Sequence, residues 1–166
     1  MKRLLAAALL AAVLASPCRG EENPSSRLYF NKSGFSIAAL EDSPRRSAYT
    51  VLAMFLPVSE KFAPNVNIII QPFEGTLEQY ARLTRGQIRA GRFSILEEKF
   101  SPDSVAWEYA GKMGELDLHW YARAVRRADL VYLVTATSSE AQWPSLAVKL
   151  KRCVDSFRIE KQRPKE

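Results

Sequence analysis

The chain contains one histidine, His119, in the stretch "DLHWYAR", two residues after Asp117 and two before Tyr121. An imidazole beside a carboxylate can serve as the base and orienter of a small hydrolase, provided a hydroxyl lies within reach. The candidate hydroxyls are Ser138 and Ser139 in "VTATSSEAQWP", and Asp129 is a second candidate orienter. The supporting signals are missing. There is no Gly-x-Ser-x-Gly elbow, and no glycine near Ser138 that would let an oxyanion approach the backbone. The residues therefore favour a non-enzymatic protein, with a His119-dependent hydrolase as the alternative. Cys153 is a weaker nucleophile still. It falls on the apolar stripe of a predicted helix, where free cysteine serves as a small buried hydrophobe.

Two groups of residues suit binding better than catalysis. Arg82, Arg85, Arg89 and Arg92 follow one another at helical spacing and place four guanidiniums along one side of a predicted helix. Arginine presents a planar fork that matches carboxylate or phosphate, so this stripe would suit an acidic partner or an anionic lipid surface. No aromatic residues interleave with it to stack bases, so nucleic acid is not an expected partner. The competing reading is a plain solvated face, with Glu78 supporting Arg82 one turn on. The second group is the polar side of a predicted strand, Asp117, His119, Tyr121 and Arg123. Such a row suits a recognition surface, an ordinary exposed sheet face or the underside of a helix edge. No phosphate-cradling glycine loop or paired-carboxylate signature is present, and two cysteines and one histidine are too few for a closed zinc set. No cofactor and no metal are expected.

The elements that must position these residues alternate in period. Short strand-like pieces at 27–30 and 35–39 flank an Asn-Lys-Ser-Gly turn. Residues 48–56 (AYTVLAMFL) are apolar on both alternating faces, which predicts a strand covered on both sides. A strand at 66–72 follows. Residues 76–91 then change to helical period, with Leu77, Tyr80, Ala81, Thr84 and Ile88 on one side, Thr76 to cap the start and Gly91 to end it. Strands at 93–100, 105–111, 116–126 and 130–136, joined by short breaker-rich links, predict an antiparallel meander. A closing helix carries Leu146, Leu150, Cys153, Val154 and Phe157, with Lys149, Lys151 and Arg152 directed elsewhere. Ser139 and Gln142 fit a capping box at its start, Pro144 sits in its first turn, and Trp143 clamps that start to the core. The fold class is α+β: an α/β sandwich with a mainly antiparallel central sheet of about six or seven strands and two main helices packed on it.

At 166 residues the chain suits one domain. Its first twenty residues read as a secretory signal peptide. Lys2 and Arg3 precede an eleven-residue apolar run at 4–14, and Ala15-Ser16-Pro17-Cys18-Arg19-Gly20 supplies small residues and a breaker. The run is shorter than the roughly 20 residues that span a bilayer. Cleavage before Glu21 removes Lys2, Arg3 and Arg19, leaving 21 basic against 18 acidic residues, so the mature charge is about +3 instead of +6. A cut after Ala15 is the rival. Lipidation of Cys18 is a third course, against which Pro17 stands where a small residue is wanted. With Cys18 removed, Cys153 is alone and no intramolecular disulfide can form. The expected organisation is a leader at 1–20, a flexible lead-in at 21–26, one domain at 27–158 and a charged tail at 159–166. The expected setting is periplasmic or secreted, or membrane-anchored if Cys18 is lipidated.

Gly34-Phe35-Ser36-Ile37, Tyr132-Leu133-Val134-Thr135-Ala136, Trp143 and Ser156-Phe157, in this order and spacing, resemble the PsbP-like (Mog/PsbP/DcrB-type) superfamily. The resemblance runs from about residue 28 to 157. It implies the same α/β sandwich and an accessory, adaptor or assembly role, with a protein or small ligand of the cell envelope as partner. It carries no shared catalytic motif onto this sequence, and a fold does not by itself give a function.

Overall fold

In the computed structural model the described residues are 27–30, 34–38 and 48–160; the leader with Cys18, the lead-in and residues 161–166 of the expected tail lie outside them. Ten elements follow in chain order. They are β1 (Arg27–Phe30), β2 (Phe35–Ala38), β3 (Tyr49–Phe55), β4 (Asn65–Pro72), α1 (Leu77–Ala90), β5 (Ser94–Ser101), β6 (Ser104–Met113), β7 (Leu116–Arg127), β8 (Leu130–Ser139) and α2 (Trp143–Asp155). β1 and β2 form a two-stranded sheet of their own. The other six strands make one sheet in the order β3-β4-β8-β7-β6-β5, and every pairing in it is antiparallel. The expected α+β class and the meander from β5 to β8 are both present.

The two helices cover opposite faces of this sheet. In β7, Ala122 and Ala124 point to one side and join Leu77, Tyr80, Ala81 and Ile88 of α1, with Trp107 of β6 fully buried among them. Residues of the opposite parity face α2, whose Trp143, Leu150 and Val154 pack on Val66, Val134 and Ala136. Period-two alternation along each strand thus builds two separate cores, one per helix.

α1 starts and stops as its sequence predicts. The Thr76 hydroxyl accepts from the Gln79 backbone N–H at 3.3 Å, and the Gln79 side chain accepts from the Thr76 N–H at 2.8 Å. This reciprocal pair satisfies two of the donors that a helix start leaves open. At the other end Gly91 keeps a right-handed conformation, and Arg92 makes the left-handed turn at φ 61°. Gly91 matters for space. A Cβ there, or at Gly111, would stand under 3 Å from the Phe93 ring that fills both positions.

Three expectations need correction. The apolar run at 48–56 is not covered on both sides. β3 is an edge strand paired only with β4, and Leu52, Met54 and Phe55 are 41%, 43% and 67% exposed. The reason is reach: α2 packs on β8, β7 and β4, and α1 on β5 and β6, so neither helix is broad enough to cover β3. β8 continues three residues past Ala136, to Ser139. The Ser139–Gln142 pair forms, with Gln142 N–H on the Ser139 hydroxyl at 3.3 Å and Ser139 N–H on the Gln142 carbonyl oxygen at 3.0 Å. It closes the turn after the strand, however, and the residue at the N-cap of α2 is Gln142 itself. Pro144 lies in the first turn as expected, where the missing N–H costs little.

Candidate functional site

His119 is 4% exposed, so the polar side of β7 is not a solvent face. It lies beneath α2, so of the three readings of Asp117, His119, Tyr121 and Arg123 the underside of a helix is the one found for His119, Tyr121 and Arg123, while Asp117 stays exposed. The imidazole has a carboxylate at each nitrogen. Nε2 is 2.9 Å from Glu108 Oε1, and Nδ1 is 2.8 Å from Glu140 Oε2. Glu108 comes from β6, where it stands opposite Tyr121, and Glu140 follows β8, held by its N–H on the Asp117 carbonyl at 2.9 Å. The indole of Trp143, the first residue of α2, stacks on the imidazole with centroids 3.9 Å apart and an interplanar angle of 15°. Its Nε1 donates to Glu108 Oε1 at 3.2 Å, and the Lys151 ammonium donates to Glu108 Oε2 at 2.5 Å. Lys151 also stands over the Tyr121 and Trp143 rings, 5.4 and 5.7 Å from their centroids.

The row continues down the helix. Tyr121 donates its hydroxyl to Asp155 Oδ1 at 2.9 Å. Arg123 reaches the carbonyls of Asp155 and Phe157 at 3.4 Å each, at the C-terminal end of α2 where backbone acceptors lack helical partners. Trp143, Lys151 and Asp155 fall at multiples of four and share one side of α2. A polar stripe therefore runs beside the apolar stripe, and both face the sheet. Lys151 does not point away as expected; it supplies the central cation.

Burial pushes the Glu108 carboxyl up, but the hydrogen bonds and charges of Lys151 and His119 together outweigh it and leave it below the usual carboxylate range. Burial also pushes the hydroxyls of Tyr80, Tyr109 and Tyr121 up to about 12, aided at Tyr121 by the bond to Asp155.

The arrangement limits what His119 can do. A ring that donates from both nitrogens satisfies both carboxylates, and a singly protonated ring leaves its lone pair facing one of them. In neither form is a nitrogen directed at Ser138. Ser138 is the cross-strand neighbour of His119, fully buried, and its hydroxyl donates to the Ser139 carbonyl at 3.0 Å. Asp117 is exposed, and Asp129 lies at the far end of the β7–β8 hairpin. The Ser–His–Asp geometry that a hydrolase would use is not assembled here. Among the described residues no group of His, Cys, Asp and Glu converges as metal ligands, and no helix is long and apolar enough to cross a membrane.

The arginine row is also divided. Arg85 is half-buried and pairs with Glu98 at 2.8 Å, whose other oxygen accepts the Trp107 indole N–H at 2.7 Å. Arg92 has left the helix. Arg82 and Arg89 alone remain as exposed guanidiniums on α1, and the expected Glu78–Arg82 pair is not formed. Cys153 is half-buried against the α2 core, close to the expectation.

Sequence reasoning missed Glu108 and Glu140, and it read Gln142 only as a partner of Ser139 at the helix start. Gln142 is buried and ties α2 to the loop after β3, donating to the Ser59 carbonyl at 2.7 Å and the Ser59 hydroxyl at 2.6 Å. The available signal was the four-residue spacing of Lys151 and Asp155 on the helix, which matches the two-residue spacing of the polar residues on the strand.

No protein-family model matches the chain, and no curated protein matches it in sequence. Among solved structures it is similar to PA94 from Pseudomonas aeruginosa, a protein of unknown function described as a candidate regulator. The TM-score is 0.54 and the identity 14%, over 77% of this chain and 93% of that one. It also overlaps cyanobacterial PsbP (CyanoP) from Synechocystis sp. PCC 6803, with TM-score 0.46 and 13% identity, over 88% of this chain and 99% of that one. At such identities the likeness to PA94 is one of fold.

Proposed function

We propose that the chain is an exported, non-enzymatic accessory protein of the cell envelope with a PsbP-like fold, acting by binding a protein or small ligand. The observation that carries this reading is the use made of the sole histidine. Both its nitrogens face carboxylates, its ring is stacked on Trp143, and the whole cluster serves to hold α2 on the sheet. The residues richest in chemistry are thus engaged in architecture. The leader-like residues 1–20 support export, and the motif order from Gly34 to Phe157 supports the PsbP-like resemblance.

The test uses the full chain with a C-terminal tag, expressed in a Gram-negative bacterium. Fractionation and N-terminal sequencing should find it outside the cytoplasm with the leader removed. Crosslinking in the intact envelope should capture the same species for the wild type and for His119→Gln, once both are shown to be folded. Retention of the unprocessed chain in the cytoplasm would overturn the export reading. A His119→Gln protein that is folded and captures normally, yet has lost the biological effect of the wild type, would return the enzyme alternative.

A further inference from the structure

The edge strand β3 and the helix α2 leave a gap between them. Because α2 packs no further than β4, the α2-facing side of β3 is uncovered, and a cleft of about 190 Å³ opens there. Its walls are apolar apart from Asn65 and Lys149: Met54 and Phe55 come from β3, Val66 from β4, and Leu150 and Cys153 from α2. Phe55, Val58 and Val148 are 67%, 72% and 82% exposed, so apolar surface continues outside the cleft on both the strand and the helix sides. A concave apolar surface that continues onto exposed apolar side chains marks a binding region.

Charge selects the occupant. Of the residues lining the cleft, Lys149 alone is charged, and among the described residues no carboxylate is ion-paired with it. The opposite edge of the same sheet is built differently. β5 carries Glu97, Glu98 and Lys99 and a bulge after Ile95, the usual devices that discourage association at an edge. β3 has neither charge nor proline, though it too is bulged, between Thr50 and Leu52.

We propose that this cleft binds a single-chain amphiphile with a carboxylate head, the acyl chain lying between β3 and α2 and the carboxylate paired with Lys149. The inference goes beyond the accessory role and does not depend on export, so the two stand or fall separately. Decanoate is the probe, and the reporter is the rate at which N-ethylmaleimide modifies Cys153, read by mass spectrometry of the peptide that contains it. Decanoate below its micellar concentration should slow the modification saturably. Affinity should rise roughly fourfold per methylene from hexanoate upward until the cleft is filled. Lys149→Glu, a change at an exposed position, should weaken decanoate at least fivefold and improve decyltrimethylammonium. Absence of saturable protection overturns the proposal. So does equal protection by decyltrimethylammonium in the wild type, which would mean that the head group is not read. Protection that grows with protein concentration alone, without decanoate, would place a second copy of the chain in the cleft and also overturns it.

Discussion

Replacing Glu108 with glutamine isolates the centre of the α2 clamp. The carboxylate is 13% exposed and accepts from the Lys151 ammonium, the His119 ring and the Trp143 indole. Glutamine keeps the size and one acceptor oxygen but removes the charge and turns a donor toward Lys151 or His119. Each charge-assisted bond contributes about 1.5–3 kcal/mol. One of the bonds to Lys151 and His119 is lost and the other keeps a neutral acceptor, so the expected loss is about 2–3 kcal/mol. With a urea slope of about 2 kcal/mol/M for a domain of this size, the unfolding midpoint falls by about 1–1.5 M. Glu140→Gln is the internal control. That carboxylate bonds the same ring, but its side chain is 54% exposed, so its removal should cost less than about 1 kcal/mol. Tryptophan fluorescence in urea at pH 7 measures both. The sign of the pH dependence follows from the lowered Glu108 carboxyl. Its contribution is complete above the unfolded value of about 4.3 and is lost as pH falls through the folded value, so the wild type and Glu108→Gln should converge in acid. A Glu108→Gln midpoint within 0.3 M of wild type (about 0.6 kcal/mol by the same slope) refutes the reasoning. So does a Glu140→Gln loss that equals it.

Gln142→Ala should cost about 1–2 kcal/mol, since it leaves the buried Ser139 N–H without its side-chain partner and removes the ties to the exposed Ser59; equilibrium urea unfolding would show this. Arg85→Ala should cost about 1 kcal/mol through the half-buried Glu98, whereas Arg82→Ala should be neutral within about 0.5 kcal/mol, and thermal melts of the two separate the paired arginine from the exposed one. In alkali, Tyr80 and Tyr109 are held near 12 by burial, so they stabilise the fold fully below about 10 and less as pH rises toward 12. Absorbance at the phenolate band should therefore show these two, with Tyr121, ionising last, together with loss of tertiary structure.

The parts of the fold written in local sequence were legible. Thr76, Gly91 and the Leu77–Tyr80–Ala81–Ile88 stripe define α1 to within a residue at each end, and the breakers between 100 and 130 mark the meander. β3 was misread because a continuous apolar run has the same appearance in a buried strand and in an uncovered edge; the width of the helix layer decides between them, and no window of sequence contains it. The site was half legible. His119, Tyr121 and Arg123 were correctly grouped on one side of β7, but their partners were not. Glu108 lies 43 residues before Lys151, and the two meet only because β6 pairs with β7 while α2 packs on β7. The arginine row failed for a related reason. Its spacing was real, but Glu98 on β5 claims Arg85, and the helix ends at Ala90, two residues short of Arg92, which makes the left-handed turn.

The central claim is that the buried polar cluster exists to hold α2 on the sheet. Amide hydrogen exchange on wild type and Glu108→Gln addresses it directly, by comparing Leu150 and Val154 of α2 with Ala81 and Ile88 of α1. The account predicts that protection in α2 falls about tenfold or more while α1 changes by less than about threefold, because local opening of α2 becomes cheaper by more than about 1.4 kcal/mol. Equal loss in the two helices, or none in α2, would contradict it.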